Sequence, residues 1–389
     1  MTSKERIVIV GGGPAGLSTA RAYREAGGQG TVTILASETH APYRRPPLTK
    51  EYLRGEIERG DLPIEAFGWY EGNGVDLNLA TNATALDMDR MVVETSDGEF
   101  PFDKCVLATG SEPLRLPVPG ADDPEVLVMR TVDDSDRLQS RVQDGSRAVV
   151  IGSGFIGCEA AASLAMRGVE VSMVSLDNSP QQTRLGDEVG DRIERWLEKY
   201  AVQTHFGAGL ESVDRDNDLL MVNYDGGSIP ADTVLFGVGV SARTDLAAAA
   251  GLEIAEGGII TDSSMRTSTP AIFAVGDISY AYNESAGSHL HVEHWGEALN
   301  HGRVAGTVMA GHTAKWDVAP GFWSTIGEHT LKHVAWGDGW DEARLEEQSN
   351  GAFTIWYGQH GVCVGVLTHD RDEDYERGRE MVESGSRLP

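Results

Sequence analysis

Cysteine is scarce. The 389 residues hold three, Cys105, Cys158 and Cys363, far apart and with no C-x-x-C pair among them. That disfavours both a disulfide framework and a redox dithiol of adjacent cysteines, and the three read as small buried hydrophobes. Positive charge is also scarce: 32 Lys and Arg against 60 Asp and Glu leave a formal net charge of −28. This balance argues against nucleic acid and anionic membrane surfaces as partners. No apolar run approaches the ~20 residues of a membrane span. The first strand begins almost at once and leaves no room for a signal peptide, so a cytoplasmic location is expected. What remains, 40% hydrophobic and 24% charged residues, is an ordinary globular composition. The length suggests about two to three domains with ample core.

Glycine is plentiful, at 47 residues, and its placement carries the strongest signal. Ile7 to Gly16 reads IVIVGGGPAG. Four apolar residues run into a glycine turn, as a buried parallel strand does. Gly11, Gly13 and Gly16 fit G-x-G-x-x-G, with Pro14 and Ala15 inside the turn and a helix expected over Leu17–Ala26. Gly11 permits the tight turn, Gly13 lets a pyrophosphate approach the backbone, and Gly16 lets helix and strand pack closely. A β-branched strand over Thr31–Leu35 follows, and Glu38, 22 residues past Gly16, stands where an acid meets a ribose hydroxyl. Ala148 to Gly157, AVVIGSGFIG, repeats the pattern with Gly152, Gly154 and Gly157 around Phe155 and Ile156. A helix is expected to about Arg167, then a strand over Val169–Val174. Ser175 ends that strand, where NAD-binding folds commonly carry an acid. Asp177 follows and Arg184 is the nearest downstream cation, so weak discrimination between NADH and NADPH is expected. Two dinucleotide sites in one chain suit a flavoenzyme reduced by a nicotinamide nucleotide.

Other stretches are less specific alone. Ala41 to Lys50, APYRRPPLTK, reads by spacing as a surface loop. Lys104 to Gly110, KCVLATG, is a buried strand, and the proline-rich SEPLRLPVPG after it marks a boundary near 113–120. Phe236–Val240 reads as a strand and turn returning to the first domain, and Ala271–Ile278, AIFAVGDI, as a strand with a turn acid, Asp277. His289, His291 and His294 have permissive ligand spacing but no cysteine nearby, and no metal site is expected. Five of eight tryptophans, Trp316, Trp323, Trp336, Trp340 and Trp356, lie near alternating strands at 353–357 and 362–367. Asp370–Pro389 reads as a final helix with a frayed end.

Taken together, PYRRPPLTK, the paired fingerprints, LATGSEPLRLPVPG, AVGDI and HVEHWGEALNHG resemble FAD-dependent NAD(P)H:ferredoxin reductases of the rubredoxin and putidaredoxin type. These belong to the pyridine nucleotide-disulfide oxidoreductase superfamily, in the branch that serves oxygenases and cytochromes P450. The resemblance runs from Ile7 to about Val366 and weakens after Ser324. It implies an α/β fold with two Rossmann-like domains plus a small α+β C-terminal domain. The divisions would be 1–113 (FAD, first part), 114–240 (NAD(P)), 241–315 (FAD, second part) and 316–389 (C-terminal). It implies FAD and NAD(P)H as cofactors. Arg45, Pro46 and Lys50 would lie beside the flavin ring, Thr109 and Gly110 would close the first half of its domain, and Gly276 and Asp277 would bind its ribityl and pyrophosphate end. Glu293, His294 and Trp295 would stand near the flavin, with Trp295 packing against it. Ala298 and Gly302 also match the family stretch, whereas His291 replaces its usual Arg. Glu159, two residues past the second fingerprint, would lie near the nicotinamide. Lys50 would balance its charge and offer a proton donor near the flavin N5 edge.

The implied partner is a ferredoxin-type one-electron carrier, with the protein a monomer or homodimer. An NAD(P)H oxidase or quinone reductase with the same two sites, or a nucleotide-sensing signalling flavoprotein, stays open. Iron–sulfur carriers of this kind are usually acidic, so docking needs a local basic patch. Residues 1–60 carry nine Lys and Arg against six Glu, leaving −31 for the rest. Arg21, Arg24, Arg44, Arg45, Lys50, Arg54 and Arg59 lie there, with Arg44, Arg45 and Arg54 expected to receive the carrier.

Overall fold

The computed structural model describes residues 4–337 and 339–389. Strand β1 (Arg6–Val10) is buried from Ile7 onward, which an all-parallel sheet covered on both faces requires. It sits mid-sheet: the order is Ile272–Ala274, Lys104–Leu107, β1, Thr31–Leu35, Val75–Asn78, all parallel. Helix α1 (Pro14–Glu25) begins three residues before the expected Leu17, because Pro14 is preset for the first helical position.

The second unit copies the first. Strand β2 (Arg147–Ile151) is central in the parallel order Gln203–Phe206, Glu170–Ser175, β2, Thr233–Phe236, Val126–Val128. Helix α2 (Phe155–Met166) follows its glycine turn. The expected return strand at Phe236–Val240 is divided. Phe236 ends a strand of the second sheet, and the chain returns along Val240–Ala242, paired antiparallel with the outgoing Ser111–Pro113. Both crossings are thus laced together.

Helix α3 (Trp295–Met309) packs on α1 at backbone distance. A Cβ at Gly302 would stand 2.5 Å from the Ala15 carbonyl oxygen, and one at Gly306 2.3 Å from that of Thr19. The C-terminal sheet is antiparallel: β3 (Gly321–Ile326), His329–Ala335, Val362–His369, Phe353–Gln359, then the charged, exposed edge Glu342–Glu347. Such an edge resists pairing with another chain. Trp316 and Trp356 are fully buried, whereas Trp323 is 45% exposed. The final helix is Asp372–Ser384, and the end beyond it is not frayed. The Cys363 N–H donates to the Ser386 carbonyl at 2.8 Å and that of Leu388 to the Gly361 carbonyl at 3.1 Å. One apolar cluster runs from Leu48, Tyr52 and Leu53 through α2 to Phe353, Ile355 and Leu367. The three units therefore meet over a shared core. No helix among the described residues is long and apolar enough to cross a membrane.

Candidate functional site

The two glycine turns solve the same packing problem twice. Gly11 has φ +129° and a Cβ there would fall 2.0 Å from the Ala108 carbonyl oxygen; Gly152 has φ +99° and would fall 2.5 Å from that of Gly237. Behind each turn the third glycine lets helix cross strand, Gly16 at 2.2 Å from the Gly11 oxygen and Gly157 at 2.3 Å from the Gly152 oxygen. The middle glycines differ in kind. A Cβ at Gly13 meets nothing within 4 Å, and at Gly154 nothing nearer than 3.7 Å. Neither residue has a capping side chain, so the first N–H groups of α1 and α2 are left for a ligand. Space kept open above an uncapped helix start fits a dinucleotide pyrophosphate.

The first turn floors a cleft of about 450 Å³. Gly11, Gly13, Pro14, Ala15, Glu38, Arg45, Pro46, Thr109, Gly110, Gly276 and Asp277 all line it. Glu38 accepts from Arg45 Nη2 and Tyr43 Oη, both at 2.7 Å. Asp277 is deep in the cleft. Burial opposes its ionisation, yet the Arg130 guanidinium at 2.5 Å, the Ser111 hydroxyl at 2.6 Å and Arg45 hold its carboxyl below the usual range. An ionised acid ringed by donors at the end of a Gly turn can bind hydroxyls.

The second turn opens on a cleft of about 640 Å³ lined by Gly154, Phe155, Ile156, Asp177, Gln181, Arg184, His294, Phe322, Trp323 and His333, among others. His294 lies against the Phe322 ring, centroids 4.6 Å apart. Burial, with Arg184 adding to it, lowers its pKa to about 4, so it faces the cleft neutral. Its Nδ1 is buried without a partner. Ser175, expected at the nucleotide, does not face the second cleft. It is buried, its hydroxyl 2.8 Å from that of Ser153, and it lines neither cleft. Asp177 stands there instead. Gly16, Gly152 and Gly157 also lie off both clefts and act by packing.

The clefts share one wall, which includes Lys50, Arg130, Ile156, Glu159, Glu293 and Trp295. Lys50 sits between the 3₁₀ turn Pro46–Thr49 and the short helix Glu51–Arg54, and Glu159 one turn into α2. Lys50 Nζ donates to Glu159 Oε2 at 2.7 Å, with both side chains under 10% exposed. Thr49 Oγ1 donates to the same oxygen at 2.6 Å; Ser324 Oγ at 2.8 Å and the Thr325 N–H at 3.2 Å donate to Oε1. A buried carboxylate is tolerable only with such donors. Glu293 is open to the cleft, and desolvation together with the Asp277 charge raises its pKa. Trp295 is half-buried at the first position of α3.

Arg130, Thr49, Ser324, Phe322 and His333 escaped the sequence reading. Thr49 had a signal, its place beside Lys50 in PPLTK; the others act through distant contacts. The three histidines considered together have separate neighbours: His289 rests on Tyr280 and Tyr282, His291 Nε2 is 2.7 Å from the Asp277 carbonyl, and His294 meets Phe322. Most arginines of the expected basic patch have acid partners. Arg45 lies in the first cleft, Arg54 is paired with Glu56, Arg59 with Asp133 and Asp136, and Arg21 with Glu65. Arg44 stays exposed, bonded to a carbonyl rather than an acid.

Residues 5–302 match the family described as pyridine nucleotide-disulphide oxidoreductase. The putidaredoxin reductase of Pseudomonas putida is 29% identical over all of this chain and 94% of its own length. The ferredoxin reductase subunit of a 5,5'-dehydrodivanillate O-demethylase from a Sphingobium species is 30% identical over 98% of this chain and 94% of that protein. Among solved structures, a covalent putidaredoxin reductase–putidaredoxin complex superposes with a TM-score of 0.94 at 28% identity, over 99% of this chain and 94% of that one.

Proposed function

Since this chain belongs to the pyridine nucleotide-disulphide oxidoreductases, we propose that it passes electrons from NADH or NADPH through FAD to a one-electron iron–sulfur carrier of the ferredoxin type, serving an oxygenase or cytochrome P450. The observation that carries this is the shared wall. Two dinucleotide-type clefts, each floored by a Gly turn, open onto the same face of Lys50 and Glu159. The flavin, when bound, supplies the change from a two-electron hydride donor to a one-electron acceptor. The chain does the positioning. Gly13 and the start of α1 would hold the FAD pyrophosphate, Asp277, steadied by Arg130, its ribityl chain, and Glu38 its ribose. Gly154 and the start of α2 would hold the nicotinamide nucleotide. Glu159 keeps the Lys50 ammonium at the common wall, where Nζ can donate a proton. Phe322 and Trp295 line the second cleft with it.

In this reading 1–113 and 241–315 form the FAD unit, 114–240 the NAD(P) unit and 316–389 the C-terminal unit. The carrier is of the kind that the relatives' names specify, putidaredoxin and a demethylase ferredoxin. Arg44 is the remaining basic contact for it. The location is cytoplasmic, which suits three free, buried cysteines and a pyridine-nucleotide donor.

The test is cytochrome c reduction by NADH and NADPH, with and without a panel of [2Fe–2S] ferredoxins and rubredoxins, across a salt series. Carrier-dependent turnover that falls in Arg44→Glu while ferricyanide turnover persists is expected. Rapid oxygen or quinone reduction with no carrier accepted would overturn the assignment.

A further inference from the structure

Glu159 receives donors from two directions, and one of them is the C-terminal sheet. Along β3 the side chains alternate: Phe322, Ser324 and Ile326 are buried and Trp323 is exposed. The buried face lies on α2. Phe322 packs on Phe155 with centroids 4.8 Å apart and the rings tilted by 58°, and Ser324 bonds Glu159. Phe155 and Glu159 are four apart on the helix, Phe322 and Ser324 two apart on the strand. Both spacings are about 6–7 Å, so helix and strand stay in step over the two contacts.

The two carboxylate oxygens divide their donors cleanly. Oε2 takes Thr49 and Lys50, and Oε1 takes the Ser324 hydroxyl and the Thr325 N–H. Ser324 is 1% exposed, and a buried hydroxyl must find an acceptor. Two donors at Oε1 resist rotation of the carboxylate about its own axis. The bonds at Oε1 therefore fix which lone pairs of Oε2 meet Lys50, and so where Nζ points.

We infer that Ser324 is a positioning residue for the Lys50–Glu159 pair, and that the C-terminal sheet is through it a working part of the hydride-transfer site. The inference rests on the role proposed above for that pair. Ser324 does not line either cleft and acts only through Glu159. Loss of its hydroxyl leaves the longer Thr325 N–H bond, at 3.2 Å, as the one donor at Oε1 and loosens the orientation of the carboxylate toward Lys50.

The experiment is anaerobic stopped-flow reduction of the FAD-loaded full-length protein by NADH and by NADPH. The variants are Ser324→Ala, Ser324→Thr, Lys50→Met, Glu159→Gln and the Ser324→Ala/Glu159→Gln double. The limiting reduction rate of Ser324→Ala should fall about five- to tenfold, with FAD content kept and nucleotide affinity within about twofold. Ser324→Thr should recover most of the rate, and the double variant should be no slower than Glu159→Gln. A wild-type limiting rate in Ser324→Ala, or a further equal loss on the Glu159→Gln background, overturns the inference. So does a defect confined to flavin content or nucleotide affinity. If Lys50→Met and Glu159→Gln are slow while Ser324→Ala is not, this inference alone fails. Wild-type rates in Lys50→Met and Glu159→Gln remove the pair's role and this inference with it.

Discussion

Replacing Glu297 by Gln should make the protein's stability, relative to the wild type, rise with pH. Glu297 lies two residues beyond Trp295 on α3 and is 2% exposed. Burial pushes its carboxyl from the ordinary 4.5 up to about 7, against hydrogen bonds from Trp316 Nε1 at 2.8 Å, Asn300 Nδ2 at 3.1 Å and the Gly321 N–H. A carboxyl whose pKa is raised by folding stabilises the fold when protonated. That contribution is complete below about 4.5, declines as pH rises toward 7, and is absent above it. At about 1.4 kcal/mol per pH unit, the full swing is on the order of 3 kcal/mol. Glutamine has nearly the shape of the protonated acid and never ionises. Its amide nitrogen cannot accept, so one of the bonds from Trp316 and Asn300 is lost at every pH; against that constant offset the variant should gain up to about 3 kcal/mol on the wild type between pH 5 and pH 8. If the chain unfolds as one unit, that is a gap of about 4 °C in thermal midpoint. Calorimetry of both FAD-loaded proteins from pH 5 to 8 reads the difference, and all other titrations cancel. A gap that does not widen with pH refutes the reasoning.

Gly13→Val should lose FAD yet keep its fold, because its side chain enters the open cleft, whereas Gly16→Val should fail to fold because its Cβ meets the Gly11 oxygen at 2.2 Å; flavin absorbance and circular dichroism separate the two. Replacing Cys105, Cys158 and Cys363 together by Ala should leave flavin reduction by NADH largely intact, apart from a stability loss from cavities, since all three are buried; a collapse of turnover in the folded variant would reveal a thiol mechanism. Asp177→Asn should shift the ratio of kcat/KM values toward NADPH by about tenfold, because Asp177 rather than Ser175 faces the second cleft; an unchanged ratio would place the ribose elsewhere.

Local pattern carried far into this fold. Buried strands ending in spaced glycines located both Rossmann units, and the resemblance around PPLTK and the second fingerprint joined Lys50 to Glu159 across 109 residues. Contacts without a local signature were not legible. Arg130 meets Asp277 across 147 residues, and Ser324 meets Glu159 across 165; neither follows a periodicity. Ser175 was read by its place at a strand end, but Glu170–Ser175 is buried from Val171 on, so alternation gave no cue to which way it points. The basic stretch looked available because its acids, Asp133, Asp136 and Glu65, are remote in sequence. The end of the chain looked frayed because its partners, Gly361 and Cys363, lie before the final helix, more than twenty residues back.

The most direct measurement of the central claim is an anaerobic electron count. The purified protein, carrying about one FAD per chain, is reduced with one equivalent of NADH or NADPH and then mixed with excess oxidised [2Fe–2S] ferredoxin. The account predicts that each flavin, on returning to the oxidised state, leaves two ferredoxins reduced. A colourless protein that takes up no FAD would contradict it. So would a reduced flavin that ferredoxins and rubredoxins leave untouched while oxygen or a quinone reoxidises it.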